Sequence, residues 1–119
     1  MELIKISDNM QILINDLGKL RFGLSKLAKE RAETISHYEM TIAHTIISLK
    51  NGVEYELNGQ KISNPPVTIM DKIARGICWK EKLKADEAET MYKSLIVNIE
   101  VIKAQLNGYQ TIIKYLDEN

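Results

Sequence analysis

Apolar residues recur at alternating intervals of three and four along residues 3–49, which places them on one side of a helix. Arg31 occupies one of these positions, and the pattern resumes after it as though four residues had been inserted. The letters KNG at 50–52 supply a basic residue and a glycine, as helix C-termini prefer. The sequence predicts a helix that starts between residues 2 and 8 and ends at residue 50. The members of this first stripe are Leu3, Ile6, Met10, Leu13, Leu17, Leu20, Leu24, Leu27, Ile35, Tyr38, Ile42, Ile46 and Leu49.

A second stripe follows the same spacing without interruption, and the other faces of that helix are mostly polar. It predicts a helix over residues 78–117. Two long helices whose stripes face each other pack antiparallel, because each would otherwise expose a continuous apolar strip to water. The predicted fold class is therefore mainly all-α, an antiparallel long-helix hairpin or coiled coil. The second stripe consists of Ala85, Ala88, Tyr92, Leu95, Ile99, Ile102, Leu106, Tyr109, Ile113 and Leu116.

The segment VEYELNGQKIS lies between the two stripes and contains an Asn-Gly pair at 58–59, which tight two-residue hairpin turns prefer. Counting outward from this turn places Tyr55 opposite Ile62 as an apolar pair. The segment predicts a small β-hairpin over residues 53–63. Because an isolated two-stranded hairpin is only marginally stable, we expect Tyr55 and Ile62 to pack on the long helices.

A short helix is predicted over residues 68–75, within the stretch NPPVTIMDKIARG. The prolines at 65–66 lack amide hydrogens and restrict the residues before them, so they prevent an earlier helix start. Thr68 is the expected N-cap, and Gly76 is the expected end of the helix. The residues expected to face inward are Ile69 and Ile73, which lie four apart.

Composition indicates one helical domain over residues 1–119, since domains of this class commonly need 100 to 200 residues. Sixteen basic and sixteen acidic side chains cancel, so any attraction to nucleic acid has to come from local clusters. Cys78 is the single cysteine, which fits a reducing compartment and a buried thiol. The chain carries no recognisable leader and no membrane-spanning run, and we expect a cytoplasmic protein without membrane contact.

Several large apolar residues lie off both stripes, and two helices alone cannot cover all of them. Self-association into a dimer or a larger bundle is the simplest way to bury them, and partial cover by the connector is the alternative. These residues are Ile14, Phe22, Met91, Ile96, Val101 and Ile112.

Residues able to carry catalysis or metal binding do not form a recognisable constellation. The sequence holds no glycine-rich phosphate loop, no HExxH and no Ser-His-Asp spacing that fits one site. His37 and His44 are seven apart, which is too far for both to bind one ion within a single helix. We expect a protein that is not an enzyme and that has no cofactor and no metal site.

Two clusters of basic residues are candidates for binding phosphates or an acidic protein surface. The first lies on the first long helix, where Arg21 and Arg31 are the leading candidates. The second covers the short helix and the start of the second long helix, and a solvated charged face is the alternative explanation for both. Trp79 is the one tryptophan and the one aromatic residue of this second cluster. The predicted binding residues there are Lys72, Arg75, Trp79, Lys80, Lys82 and Lys84.

A further pattern consists of Pro66, Thr68, Asp71, Ala74, Arg75 and Gly76, followed by Ala88, Tyr92, Lys103 and Leu106. With these residues, the stretch 28–116 resembles a group of small, poorly characterised helical proteins encoded in the early regions of phages and prophages of Gram-positive bacteria. The hairpin over 53–63 looks like an insertion relative to the shorter connection usual in that group. The resemblance implies a phage context and a helical fold, and it does not name a reaction.

Three functions are compatible with these features. The first is a non-enzymatic phage interaction protein that binds a host or phage protein, for example as an inhibitor of a bacterial defence or nuclease system. The second is an accessory of phage replication or recombination that contacts DNA through the cluster between Lys72 and Lys84. The third is a protein that sequesters a small phosphorylated signal between protomers, held by Arg75 or Arg31.

Overall fold

The computed structural model describes residues 3–118 and contains three helices and a two-stranded sheet. The predicted mainly helical fold, with a short connecting helix and a small β-hairpin, is confirmed. Two compact units divide the chain, the first comprising Met1–Ala28 and Thr90–Asn119 and the second Lys29–Glu89. The elements are α1 (Leu3–Lys50), β1 (Tyr55–Leu57), β2 (Gln60–Ile62), α2 (Val67–Ile77) and α3 (Trp79–Glu118).

In the first unit, the segments of α1 and α3 run antiparallel. The side-chain amide of Asn9 donates a hydrogen bond of 3.4 Å to the hydroxyl of Tyr109. A Cβ placed on Gly23 would lie 3.9 Å from the Leu95 side chain. Residue numbers therefore rise along one segment as they fall along the other, which is the arrangement that the two stripes predict.

The core of the first unit is thin. Ile6, Leu95 and Ile99 are buried, and most other stripe members there are half-buried. Leu3 and Leu116 were expected to pack but are exposed, because they lie on the outermost turns where no further side chain covers them. Two helices bury one stripe each, and the remaining apolar positions of this unit stay open to solvent.

The second unit has a larger core, because α2 and the hairpin add a further layer over α1 and α3. Cys78 is buried in it, as expected, and its sulfur lies 3.4 Å from the hydroxyl of Thr45. Partly buried residues from both strands and from α2 pack around this core. The buried residues that form it are Tyr38, Ile42, Leu49, Met70, Ala74, Cys78 and Ala85.

Arg31 interrupts the first stripe because it pairs across the helices with a carboxylate of α3. Its guanidinium donates a hydrogen bond of 2.9 Å to Glu89, and both side chains are about two-thirds covered. A charged residue is tolerated at an inward position when an opposite charge lies opposite it.

The β-hairpin matches its predicted register. Asn58 and Gly59 both have positive φ, of 52° and 79°, as a type I′ turn requires. Tyr55 pairs with Ile62, and both side chains pack against the core of the second unit. The strands lie inside the predicted span of 53–63 and cover three residues each.

The short helix α2 differs from its prediction at both ends and in its inward face. It begins at Val67, with Pro66 in the cap position and no side-chain cap, so the expected Thr68 cap is wrong. It continues through Gly76 to Ile77 rather than ending at the glycine. Of the two residues expected to face inward, Ile73 is partly buried against the core as predicted, whereas Ile69 is exposed. The buried residues of the helix are Met70 and Ala74. The helix lies so close to the core that the fully buried position suits alanine rather than a larger residue.

Candidate functional site

Six of the eight predicted binding residues lie on the outer sides of α2 and of the first turns of α3, and all six are exposed. These side chains point outward because Ala74 and Cys78, on the opposite side of the same segment, are almost completely buried in the core of the second unit. We call this region the basic-aromatic surface. It consists of Lys72, Arg75, Trp79, Lys80, Lys82 and Lys84.

Trp79 forms the apolar part of this surface. Its side chain is 55% exposed, and Leu83, one helical turn further on, is 50% exposed. Residues four apart share one side of a helix, so the two make a continuous apolar strip at the start of α3. The ammonium group of Lys80 lies 5.6 Å from the centre of the indole ring, a cation–π distance.

Arg75 is held by an acidic neighbour. Its Nε donates a hydrogen bond of 2.9 Å to the carboxylate of Asp71, one turn earlier in α2. This bond raises the pKa of the Arg75 guanidinium, and Tyr38 is a second cause in the same direction. At neutral pH the charge of Arg75 is therefore present and is offset locally by Asp71.

Lys82 is held in the same way. Its ammonium group donates a hydrogen bond of 2.9 Å to Asp86 and lies 5.7 Å from the centre of the Tyr38 ring. The hydrogen bond with Asp86, together with the charge of that carboxylate, raises the pKa of Lys82. Lys82 and Arg75 thus both converge on Tyr38, a buried residue of α1.

The predicted cluster is consequently divided into two parts. Lys80 and Lys84 lie four apart on one side of the apolar strip, whereas Lys82 lies on the other side with its own carboxylate. Neither Lys72 nor Lys84 forms an ion pair with any carboxylate within residues 3–118. The surface offers a central tryptophan flanked by cations, rather than one uniform basic patch.

The remaining two predicted residues lie elsewhere. Arg21 is exposed on α1 in the first unit. Arg31 belongs to the second unit, where it pairs with Glu89. Neither is part of the basic-aromatic surface as defined above.

Sequence reasoning missed Leu83 and the two carboxylates that hold the cations. The i to i+4 spacing of Asp71 with Arg75 and of Lys82 with Asp86 is readable in the sequence and would have indicated both pairs. The role of Tyr38 had no sequence signal, because it depends on the packing of α2 and α3 on α1.

His37 and His44 are both exposed on α1. Within residues 3–118, no three histidine, cysteine, aspartate or glutamate side chains come close enough to hold an ion. In the same part of the chain, no helix combines the length and the hydrophobicity that crossing a bilayer requires.

Comparison with known proteins gives no further assignment. No protein-family model, no curated protein and no solved structure shows significant similarity to the chain.

Proposed function

We propose that the protein is a non-enzymatic, phage- or prophage-encoded interaction protein that binds a host or phage protein through the basic-aromatic surface. The resemblance described above supports the phage context, and a bacterial defence or nuclease system is the class of target that we propose it inhibits in the host cytoplasm. One observation carries the binding proposal, namely the exposed tryptophan at the start of α3.

Trp79 is well suited to anchor a protein partner. Tryptophan, tyrosine and arginine dominate the binding energy of protein interfaces, where they fill pockets in the partner. A tryptophan with more than half of its surface in water leaves a large apolar area exposed, and Leu83 extends that area by one turn. The flanking Lys80 and Lys84 favour a partner whose pocket has an acidic rim.

The charges favour a protein partner over nucleic acid. Binding to a phosphate backbone depends on cations that replace condensed counterions. Arg75 and Lys82 each already hold a carboxylate at 2.9 Å, so they contribute less to such binding than their number suggests. The chain as a whole carries sixteen basic and sixteen acidic side chains and adds no net attraction.

The test is affinity capture of the tagged protein from host and phage-infected lysates, with and without nuclease. We expect one protein to remain bound after nuclease treatment. The variant Trp79→Ser should weaken binding of that protein about 30-fold, the effect of losing an anchor that contributes ~2 kcal/mol. The matched control is Phe22→Ser, which removes an 88% exposed aromatic residue from the first unit. Equal loss in both variants, or none in either, would contradict the assignment of the surface.

DNA is the second candidate partner, because Lys72 and Lys84 form no ion pair with a carboxylate in the described part of the chain. If DNA is the partner, nuclease treatment would remove every protein that is captured together with the tagged protein. A salt-sensitive gel shift would then be abolished by reversing the charges of Lys72, Lys80 and Lys84. No shift at low salt excludes this candidate.

We further propose that the chain self-associates and that its long helices pack as a coiled coil. The apolar residues that lie off the two stripes support self-association, since each is at least 36% exposed. They are Ile14, Phe22, Met91, Ile96, Val101 and Ile112.

A further inference from the structure

We infer that a second copy of the chain packs on one face of the first unit, with Asp16 of each copy opposite Lys19 of the other. This inference rests on the proposed self-association and assigns it a surface and a register. The surface, here called the grooved face, carries two grooves of about 420 and 370 Å³. The first is lined by Asn9, Ile12, Leu13, Gln105, Gly108, Tyr109 and Ile112, and the second by Asp16, Lys19, Leu20, Asn98, Val101 and Ile102.

The two grooves belong to one surface because their linings repeat every seven residues. On α1, the positions 9, 12 and 13 of the first groove correspond to 16, 19 and 20 of the second. On α3, the positions 98, 101 and 102 correspond to 105, 108 and 109. Seven residues make two helical turns, so both sets lie on the same side of their helices. This periodicity is typical of a surface that receives further helices.

The grooved face is apolar and open. Three of its apolar side chains lie largely in solvent: Ile12, Val101 and Ile112 are 58%, 51% and 44% exposed. Gly108 lines the first groove, and a Cβ added to it would meet no atom within 4 Å. Another helix can therefore approach the backbone closely at this point.

The size of the face matches that of a stable dimer interface. Some 26 described residues of α1 lie in the first unit, a length of about 40 Å at 1.5 Å per residue. Two adjacent helices are about 20 Å wide, so the face measures roughly 800 Å². Standard interfaces bury about 800 Å² on each partner. A partner helix pair of the same length covers this area, and a second copy of the chain supplies such a pair.

Charge identifies that partner as a second copy. Asp16 and Lys19 both border the second groove, and no ion pair joins either of them to another side chain within residues 3–118. Two copies related by a two-fold axis that passes between residues 17 and 18 bring Asp16 of each next to Lys19 of the other. One axis thus creates two ion pairs from two side chains, as an isologous interface does.

The same axis also determines which residues of α3 face each other across the interface. Residue numbers of contacting partners add up to 118, for Asn9 with Tyr109 and for Gly23 with Leu95. The level between residues 17 and 18 of α1 therefore corresponds to residues 100 and 101 of α3. Val101, the exposed apolar residue of the second groove, then meets its own copy at the axis.

The charge test measures the dimer Kd of the purified protein by sedimentation velocity over a concentration series from about 1 to about 100 µM, which extends from a micromolar Kd to well above it. We expect twice the monomer mass of 13.6 kDa for the wild type. Asp16→Lys and Lys19→Asp should each raise the dimer Kd at least tenfold, because like charges then face each other twice. The double swap restores the opposite charges and should restore the dimer. A monomeric wild type, or single variants that dimerise normally, would overturn the inference.

A cross-linking test decides the register without relying on charge. Val101→Cys places two thiols at the two-fold axis and should form an intermolecular disulfide under mild oxidation, since this bond needs Cα atoms within about 7 Å. The matched control is Val97→Cys, one turn earlier in α3, where the native valine is 59% exposed and lines neither groove, so it should not cross-link efficiently. Cross-linking of Val97→Cys in preference to Val101→Cys would refute the proposed face. Circular dichroism confirms that each variant is helical. Both measurements use the purified protein alone, so a failure here leaves partner capture unaffected.

Discussion

Replacing Gly76 by alanine should stabilise the protein, although its place at the end of the predicted short helix suggests the opposite. Where a glycine ends a helix in the left-handed conformation, adding a Cβ lowers the stability of the folded protein. Gly76 instead lies within α2, which continues to Ile77, and it does not have positive φ. In a helical conformation alanine is preferred over glycine, because glycine loses more backbone freedom on folding.

The expected gain is about 0.5–1 kcal/mol of unfolding free energy, the usual difference between alanine and glycine at a compatible site. The added Cβ has room, since it would lie 3.5 Å and 3.9 Å from the two terminal carbons of Leu57 in β1. These are ordinary van der Waals distances and add only a few tenths of a kcal/mol at most. The position close to the end of α2 keeps the gain within the lower part of this range.

Urea unfolding, followed by circular dichroism at fixed protein concentration, measures the change. Gly52→Ala is the matched control, because Gly52 follows α1 with a φ of +82°. It should destabilise the protein by about 1 kcal/mol, since left-handed backbone is strained for residues with a Cβ. A loss of stability in Gly76→Ala equal to that in Gly52→Ala would refute the helical assignment of Gly76.

Three further variants test the core and the ion pairs of the second unit. Leu49→Ala removes a completely buried side chain and should lower the free energy of unfolding by about 2–5 kcal/mol in urea; a loss below about 1 kcal/mol would contradict its burial. For Arg31 and Glu89, which are partly exposed, a double-mutant cycle with Arg31→Met and Glu89→Gln should give a coupling of about 1 kcal/mol, and additivity would show that the pair does not interact. The pKa of Lys82 is raised in the folded state, so the stabilisation from its charge is fully present below the ordinary lysine pKa and is lost as the pH rises through the folded-state pKa. The difference in unfolding free energy between the wild type and Lys82→Met should therefore shrink above a pH of about 10.5. A difference that stays constant with pH would contradict the bond with Asp86.

The sequence predicted those elements whose causes are local. Three-and-four spacing gave the two long helices, and the Asn-Gly pair gave the hairpin with its register. The ends of α2 were less predictable, because Pro66 with a φ of −54° and an extended ψ of 142° lets the helix start at once without a side-chain cap. Its inward face depends on how closely α2 approaches α1, which decides between Ala74 and the larger Ile69 and is a property of tertiary packing.

The candidate site was predictable in composition and not in arrangement. The exposed basic residues and Trp79 are all evident from the sequence. The division of the cations between the two sides of the apolar strip is not evident from the sequence. It depends on the turn at Cys78 between α2 and α3 and on the approach of Arg75 and Lys82 to Tyr38. A basic cluster in a sequence therefore overstates the charge available to a ligand when carboxylates lie one turn away.

The distribution of buried residues explains why we assign different tasks to different parts of the chain. In the second unit, α2 and the hairpin supply a third layer, and the buried cluster is complete within one chain. The described part of the first unit has no such layer, and its fully buried stripe members are few. A pair of helices without a third layer buries little apolar surface to offset the entropy of ordering the chain, and the self-association that we propose would add further helices. The grooved face is the surface on which we propose that they pack, whereas Trp79 belongs to the second unit, whose buried core forms within one chain.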